Sequence, residues 1–536
     1  MHDLLHDPLI GVRTPAGSQR LSLPGLLAAL SAGQVDGYTG LRAHQADPWH
    51  VFLVQLAASI QARRPTDALP TDATYWREGL LDLADRIPEA WQLVVEDVTK
   101  PAFMQHPWKS WQAEAGDYGV KTSRGQTVFD PKASSPDELD VLVTAKNHDV
   151  KMARLGTDAM EAWIFALLLL QTTSGVLGRG NYGIVRMNSG TGSRSIAAWV
   201  RDLHPSARFT DETRKLAQLR ESVCRESRYP QRGIVLTWLT PWNRKQHHLT
   251  LSQLEPWFIE AARPIRLWPH AGAGLMALGA TSEVRQIGPK TVENGDIGDP
   301  WTAINAGDKK KGRSALTLSA DGFTPQRLTD LLFEQGFELS PLQRPPSGEG
   351  DGWFVASCLV RGQGKTEGFH RAQVPVPEKA RRALLQKANR ETLGKLGQQL
   401  LADAKDVQQI LATALMRLCK GGLEKADKND FKQIEKWINA ARADFAKTWE
   451  QHYFPTLWRG ADEAHEAVRR DWQQRLVDAG QALLDEAATR LPLPSSRRWR
   501  ALTQAESAWR GMLHKAGLPL PGRATTETPE PEEQPA

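Results

Sequence analysis

The stretch Gly178–Arg194 reads GRGNYGIVRMNSGTGSR and follows shortly after the most apolar run in the chain, Trp163–Leu170. It holds five glycines and three arginines. Glycine lets backbone N–H groups approach a ligand with no side chain in the way, and interleaved arginines add charge suited to phosphate or carboxylate. Gly178-x-Gly180-x-x-Gly183 also matches the dinucleotide-binding pattern letter for letter, so its context bears on the fold. That pattern requires a strand before it and a helix after it. Here a helix-forming run of Ala, Met, Glu and Leu, from about Thr157 to Thr172 with Gly175 as its stop, comes first, and Gly/Asn/Ser-rich text follows. A doubly wound dinucleotide fold is therefore disfavoured.

Working outward, the pattern is α+β. Toward the N-terminus, Leu9, Ile10 and Val12, the turn text Pro15-Ala16-Gly17-Ser18, then Leu21 and Leu23 predict a short hairpin followed by a helix around Leu26–Leu30. Asp47-Pro48 reads as the opening of a helix through Ile60 that is apolar nearly all round and so buried. Another helix is expected around Tyr75–Ala84, and residues 98–140, rich in Pro, Gly, Asp and Ser, read as long loops with a strand or two.

Beyond the glycine stretch, Ile234–Trp238, Ile265–Trp268, Ala315–Leu318 and Trp353–Val360 read as strands between Gly/Pro/Asp turns. After Pro375-Val376-Pro377 the period changes. Phe431, Ile434, Ile438, Ala441, Phe445 and Trp449 form one helical stripe, and Val468, Trp472, Leu476, Ala479, Leu483 and Ala487 form a second. With helical text at Glu378–Leu418 and near Trp499–Lys515, this predicts a four-helix bundle. The expected organisation is a large mixed N-terminal domain over residues 1–372, the bundle over 373–518, and an acidic, Pro-rich disordered tail over 519–536.

Composition bounds the function. At 536 residues two or three domains are expected, and 40% apolar with 24% charged residues is a soluble globular composition. The formal charge of +5 permits nucleic-acid binding through local patches without demanding it. Three scattered cysteines, Cys224, Cys358 and Cys419, exclude a disulfide framework and a cysteine zinc site and fit a reducing cytoplasm. The first residues lack the basic and apolar segments of a signal peptide, and no apolar run reaches the ~20 residues of a membrane span. Most of the nineteen tryptophans read as core, with a minority available to stack on bases or anchor a partner.

Enzyme signatures are weak. Gly364-Lys365-Thr366 resembles the end of a phosphate-binding loop, but that loop needs a glycine at 359, where Leu stands. What remains, Arg361–Gly368, is a basic, glycine-punctuated turn after a strand, suited to a hairpin tip. His465-Glu466 lacks a second histidine, His247-His248 are adjacent, and no metal-ligand set, nucleophile elbow or catalytic acid pair emerges. Lys309-Lys310-Lys311 reads as a solvated loop, with phosphate contact as the alternative.

Leu4–Pro8, Phe103-Met104-Gln105, Lys146–Asp149, Gly178–Asn188, Gly298–Thr302 and Val360–Gly368 occur in that order. Together they resemble the large subunit of the type I-E CRISPR surveillance complex Cascade, the CasA family, from the N-terminus to about residue 372, with the bundle where that family has one.

The resemblance implies a non-catalytic protein. Such a subunit inspects double-stranded DNA for the protospacer-adjacent motif (PAM), helps open the duplex for R-loop formation, and provides the dock for the helicase-nuclease. Its implied partners are target DNA, the guide RNA 5′ handle, and the backbone and small subunits, with no cofactor and no metal. Gly178, Arg179, Gly180 and Asn181 would be the minor-groove loop, where readout mainly separates A·T from G·C. Gln363, Gly364, Lys365 and Thr366 would be the wedge hairpin, with either Gln363 or Lys365 at its tip. Lys290 is the candidate lysine finger, and Lys146, Asn147 and His148 would form the loop on the guide RNA handle and the neighbouring backbone subunit. Arg381-Arg382, Arg469-Arg470 and Arg497-Arg498-Trp499-Arg500 are candidates for backbone contacts from the bundle. The other readings are a nucleotide-binding enzyme using the 178–183 loop and a protein-interaction scaffold.

Overall fold

The computed structural model describes residues 2–108, 115–116, 119–120, 130–140, 159–176, 180–188, 194–242, 248–270, 274–282, 284–288, 293–307, 312–362, 365–421, 428–491 and 495–521. The chain divides into two compact units, Met1–Thr324 with Asp330–Val376, and Pro325–Thr329 with Pro377–Ala536.

The first unit is organised around two buried helices, α2 (Ala43–Arg63) and α4 (Met160–Thr173). Both lack a polar face, which is why their sequences carry no clear stripe. Trp49 of α2 stacks on Phe52 at 5.4 Å and meets Phe165 of α4 edge-on at 5.0 Å, and Phe52 leads on to Phe103. α1 (Leu23–Ser31), α3 (Ala73–Leu83) and α5 (Pro205–Glu226) pack around this core.

α2 does not begin at Asp47-Pro48. It starts at Ala43, where the Arg42 N–H donates to Gln45 Oε1 at 3.1 Å, and Pro48 lies inside the helix. Asp47 is instead a buried partner of Arg208 on α5, at 2.6 Å. The Arg208 guanidinium also bonds Glu212, which accepts from the Trp301 indole at 2.8 Å.

The N-terminal hairpin β1 (Ile10–Thr14) and β2 (Gly17–Leu21) forms as expected, with β3 (Gly37–Tyr38) on its other edge. β4 (Asp130–Ala133) joins a second small sheet. β5 (Ser195–Val200) pairs with the long hairpin described below, and β6 (Ile234–Leu236) runs parallel to β7 (Leu254–Ile259). β8 (Ile265–His270) and β9 (Gly274–Gly279) complete the sheet of β4. β10 (Ile304–Asn305), β11 (Ser314–Ala315) and β12 (Phe337–Glu338) make a fourth small sheet, and of the strand expected over Ala315–Leu318 only Ala315 lies in it. The unit ends in an antiparallel hairpin, β13 (Gly352–Gly362) and β14 (Lys365–Val376), with β5 along its outer edge.

Helix α6 (Pro325–Leu332) contributes Pro325–Thr329 to the second unit, where Thr329 and Tyr453 hydroxyls hydrogen-bond at 2.8 Å. That unit continues through α7 (Glu378–Leu385), α8 (Lys387–Lys420), α9 (Lys428–Arg459), α10 (His465–Arg490) and α11 (Ser495–Lys515). α8 packs against each of the last three. The Trp472 indole donates to Leu400 O at 2.8 Å, and Arg469 grips Asp403 through two bonds of 2.8 Å. The expected α+β class with a C-terminal helical bundle is therefore the fold observed.

Candidate functional site

The glycine stretch emerges from the end of α4. The chain leaves the helix at Thr173, two residues before the expected stop at Gly175, and among the described residues of the stretch none is helical. Gly175 and Gly183 come together. A Cβ added at Gly183 would lie 3.2 Å from Gly175 Cα, so the segment between them enters and leaves through one narrow neck. Gly180 adopts φ +83°, and a Cβ there would sit 2.6 Å from Thr281 Cβ, so only glycine fits without displacement. Its carbonyl accepts from the Ser282 N–H at 2.8 Å and the Ser282 hydroxyl at 3.3 Å. Asn181 and Tyr182 are half-buried.

Beneath the loop lies a dense polar floor. The Val185 N–H donates to Glu260 Oε2 at 2.8 Å. Arg186 donates to Phe258 O at 2.8 Å and places its guanidinium 3.8 Å from the Phe258 ring centroid. Asp299 pairs with Arg194 at 2.9 Å and with Arg186 at 3.4 Å, all three side chains being buried. Burial pushes the Glu260 carboxyl up to about 7 against the attraction of Arg186, Arg285 and Arg194. Arg186 and Arg194 are thus internal struts, fixed by the Asp299 of the Gly298–Thr302 motif, rather than ligand-facing cations.

Several holding residues were not singled out in the sequence: Arg263, Gln171, Glu260 and Ser282. Arg263 is 3% exposed. Its guanidinium donates to the carbonyls of Tyr182 and Gly175, one on each side of the neck. Gln171 on α4 receives the Arg263 N–H at 2.6 Å and donates to the Arg263 carbonyl at 3.0 Å. A lone Arg-Pro pair in Arg263-Pro264-Ile265 carries no sequence signal for this. Arg285, half-buried beside Glu260 and Tyr182, was likewise missed.

The basic turn is a true hairpin end. Gly362 pairs with Lys365 and Arg361 with Thr366, with a register shift at Val360/Arg361. Lys365 and Thr366 therefore lie in β14, and only Gln363 and Gly364 separate the strands. Gln363 and Gly364 themselves fall outside the described residues, as do Gly178, Arg179, Lys290, Lys146, Asn147, His148 and Lys309–Lys311.

The bundle arginines separate by environment. Arg381 is 2% exposed and Arg469 is engaged by Asp403, so both serve the fold. Arg497 and Arg500 are exposed beside Trp499, which is 81% exposed. Among the described residues no group of three or more His, Cys, Asp or Glu is placed to hold a metal, and no helix is long and apolar enough to cross a membrane.

A mixed small-sheet unit followed by a helical bundle is a fold shared with solved structures of CRISPR-associated proteins. The solved structures it resembles are those of CasA, also called Cse1. The Thermus thermophilus CasA structure superposes with a TM-score of 0.59 at 16% identity, covering 96% of this chain and 99% of that one. Thermobifida fusca Cse1 gives 0.61 at 15% identity over 96% and 98% of the two chains. Cse1 from Acidimicrobium ferrooxidans gives 0.58 at 14% identity over 96% and 98%. The chain thus has the CasA/Cse1 fold along nearly its whole length. No family model matches the sequence, and no curated protein matches it.

Proposed function

We propose that this chain is the large subunit of a type I-E Cascade, reading the PAM in double-stranded DNA, helping to open the duplex and docking the helicase-nuclease. The observation that carries this is the agreement of two independent features. The fold matches CasA/Cse1 structures over 96% of this chain and 98–99% of theirs, and the sequence carries the family's motifs in the family's order. On this reading Gly178, Arg179, Gly180 and Asn181 probe the minor groove together with Lys290 as the lysine finger, and Gln363–Thr366 at the end of the β13–β14 hairpin separate the strands. Lys146, Asn147 and His148 meet the guide RNA handle, and Arg497 and Arg500 supply backbone contacts from the bundle. The protein acts in the cytoplasm without a cofactor or catalytic group of its own.

Such a reader couples weak groove discrimination to phosphate neutralisation, so its affinity falls steeply with salt. The test is reconstitution of the complex with and without this chain, followed by binding to duplexes with and without the motif. With the chain present, motif-bearing duplex should bind at least about tenfold more tightly, the discrimination of one or two base contacts. Equal discrimination in both preparations would overturn the proposal.

A further inference from the structure

Two stretches far apart in sequence meet at the neck of the glycine loop, and one buried side chain spans the opening. The carbonyls of Gly175 and Tyr182 lie on the two strands of the neck, and both accept from the Arg263 guanidinium. Arg263 is itself held on both sides of its main chain by Gln171, which is fully buried on α4 and also donates to Met104 O at 2.8 Å. A planar fork with several donors can hold two carbonyls at fixed separation, which a lysine ammonium on a flexible stem cannot do with the same geometry. On the far side, Ser282 takes the Gly180 carbonyl with both its N–H and its hydroxyl. The loop is thus fastened at three points, and two of them are bonded to Arg263.

We infer that Arg263 is the positioning residue of the glycine loop: it clamps the neck so that Gly180 and Asn181 are presented to a duplex groove in one preset geometry. This rests on the proposed reading of the loop as a DNA contact, but the clamp itself can be measured without DNA. A preset loop loses little freedom on binding, whereas an unclamped loop must be ordered by the ligand. The clamp therefore matters for intact duplex, where groove contact comes first, and hardly at all for a target already opened by mismatches.

Arg263→Lys keeps the charge and loses the two-carbonyl bridge. Gly180→Ala, whose new Cβ would meet Thr281, displaces the same loop from its other side and serves if the first variant fails to fold. Two readouts are taken on the full chain and on the reconstituted complex: hydrogen exchange at the Val185 and Ser282 amides, and binding to intact and pre-melted duplexes. Arg263→Lys should speed exchange at both amides at least tenfold, and weaken intact-duplex binding about tenfold while changing pre-melted binding less than twofold. Unchanged exchange would overturn the clamp. Equal losses on both targets would also overturn it, since the residue would then serve only the general fold. Faster exchange with intact-duplex binding unchanged, in this variant and in Asn181→Ala alike, would leave the clamp standing and reject the loop as the DNA contact.

Discussion

Glu260 lies under the loop with its carboxyl buried, accepting from the Val185 N–H while burial pushes its pKa from 4.5 up to about 7. The folded chain holds this proton to near neutrality, whereas the unfolded chain releases it near 4.5. The stabilisation linked to that proton is complete below the unfolded value and is lost as pH rises through about 7. Glu260→Gln keeps an oxygen for the Val185 N–H but cannot ionise. Its stability relative to the wild type should therefore rise between pH 5 and pH 8, by ~1–3 kcal/mol. Thermal melts of both proteins at the two pH values check this, and a pH-independent difference would sink it. At this scale the sequence showed which glycines and arginines cluster but not which face outward. Arg186 and Arg194 read in the sequence more as support beneath the loop than as a second site, but what they brace against is not legible there. They become struts only because Asp299, more than a hundred residues on, is folded between them.

Among elements, the bundle shows how far an apolar period can be trusted. In α10 the expected stripe is Val468, Trp472, Leu476, Ala479, Leu483 and Ala487, and the buried set is Val468, Trp472, Leu476, Val477, Gly480 and Leu484. The first half agrees, and the second is rotated by one residue. The cause is Trp509 of α11, whose ring lies against bare backbone at Gly480: a Cβ there would stand 2.6 Å from its Cη2. Gly511, exposed on α11, has nothing within 4 Å of the same added atom. The two glycines should respond oppositely to alanine. Gly480→Ala overpacks a tight contact and should lose on the order of 1 kcal/mol even after its helix-propensity gain. Gly511→Ala should gain ~0.5–1 kcal/mol. Denaturant melts yielding the same sign for both would contradict this packing account. Other elements were hidden for a related reason. α5 escaped notice because two of its buried positions are Glu212 and Thr213, so its inner face carries no continuous apolar stripe. Asp47-Pro48 misled because a good helix-opening pair was used as a buried salt-bridge partner and a tolerated interior proline.

For the whole molecule, the three thiols provide separate reporters of the two units. Cys358 on β13 is 3% exposed and burial pushes its pKa up to about 12, while Cys224 is also buried; both belong to the first unit. Cys419, half-buried near the end of α8, belongs to the second. Alkylation of the native protein at pH 8 should proceed at least about tenfold faster at Cys419 than at Cys358, since the attacking species is the thiolate. Peptide mapping reads the order directly, and early labelling of Cys358 would show that the β13–β14 hairpin opens in the native state. The class of fold and the bundle were legible because local period and composition encode them. The sheets were legible only in part, since several are strands of two or three residues whose pairing is decided by distant chain.

One consequence of the neck concerns how such a protein can change over generations. Where Gly175 and Gly183 already touch, the frame has closed the ring before the intervening residues are specified. Lengthening or rewriting that short insert then adds little closure entropy, about 0.6 kcal/mol for a doubling of its length. What limits change there is fit rather than closure, since Gly180 at φ +83° leaves no room for a side chain beside Thr281. A lineage can vary the residues around Gly180 while α4, the Asp299 struts and the Arg263 fork stay as they are.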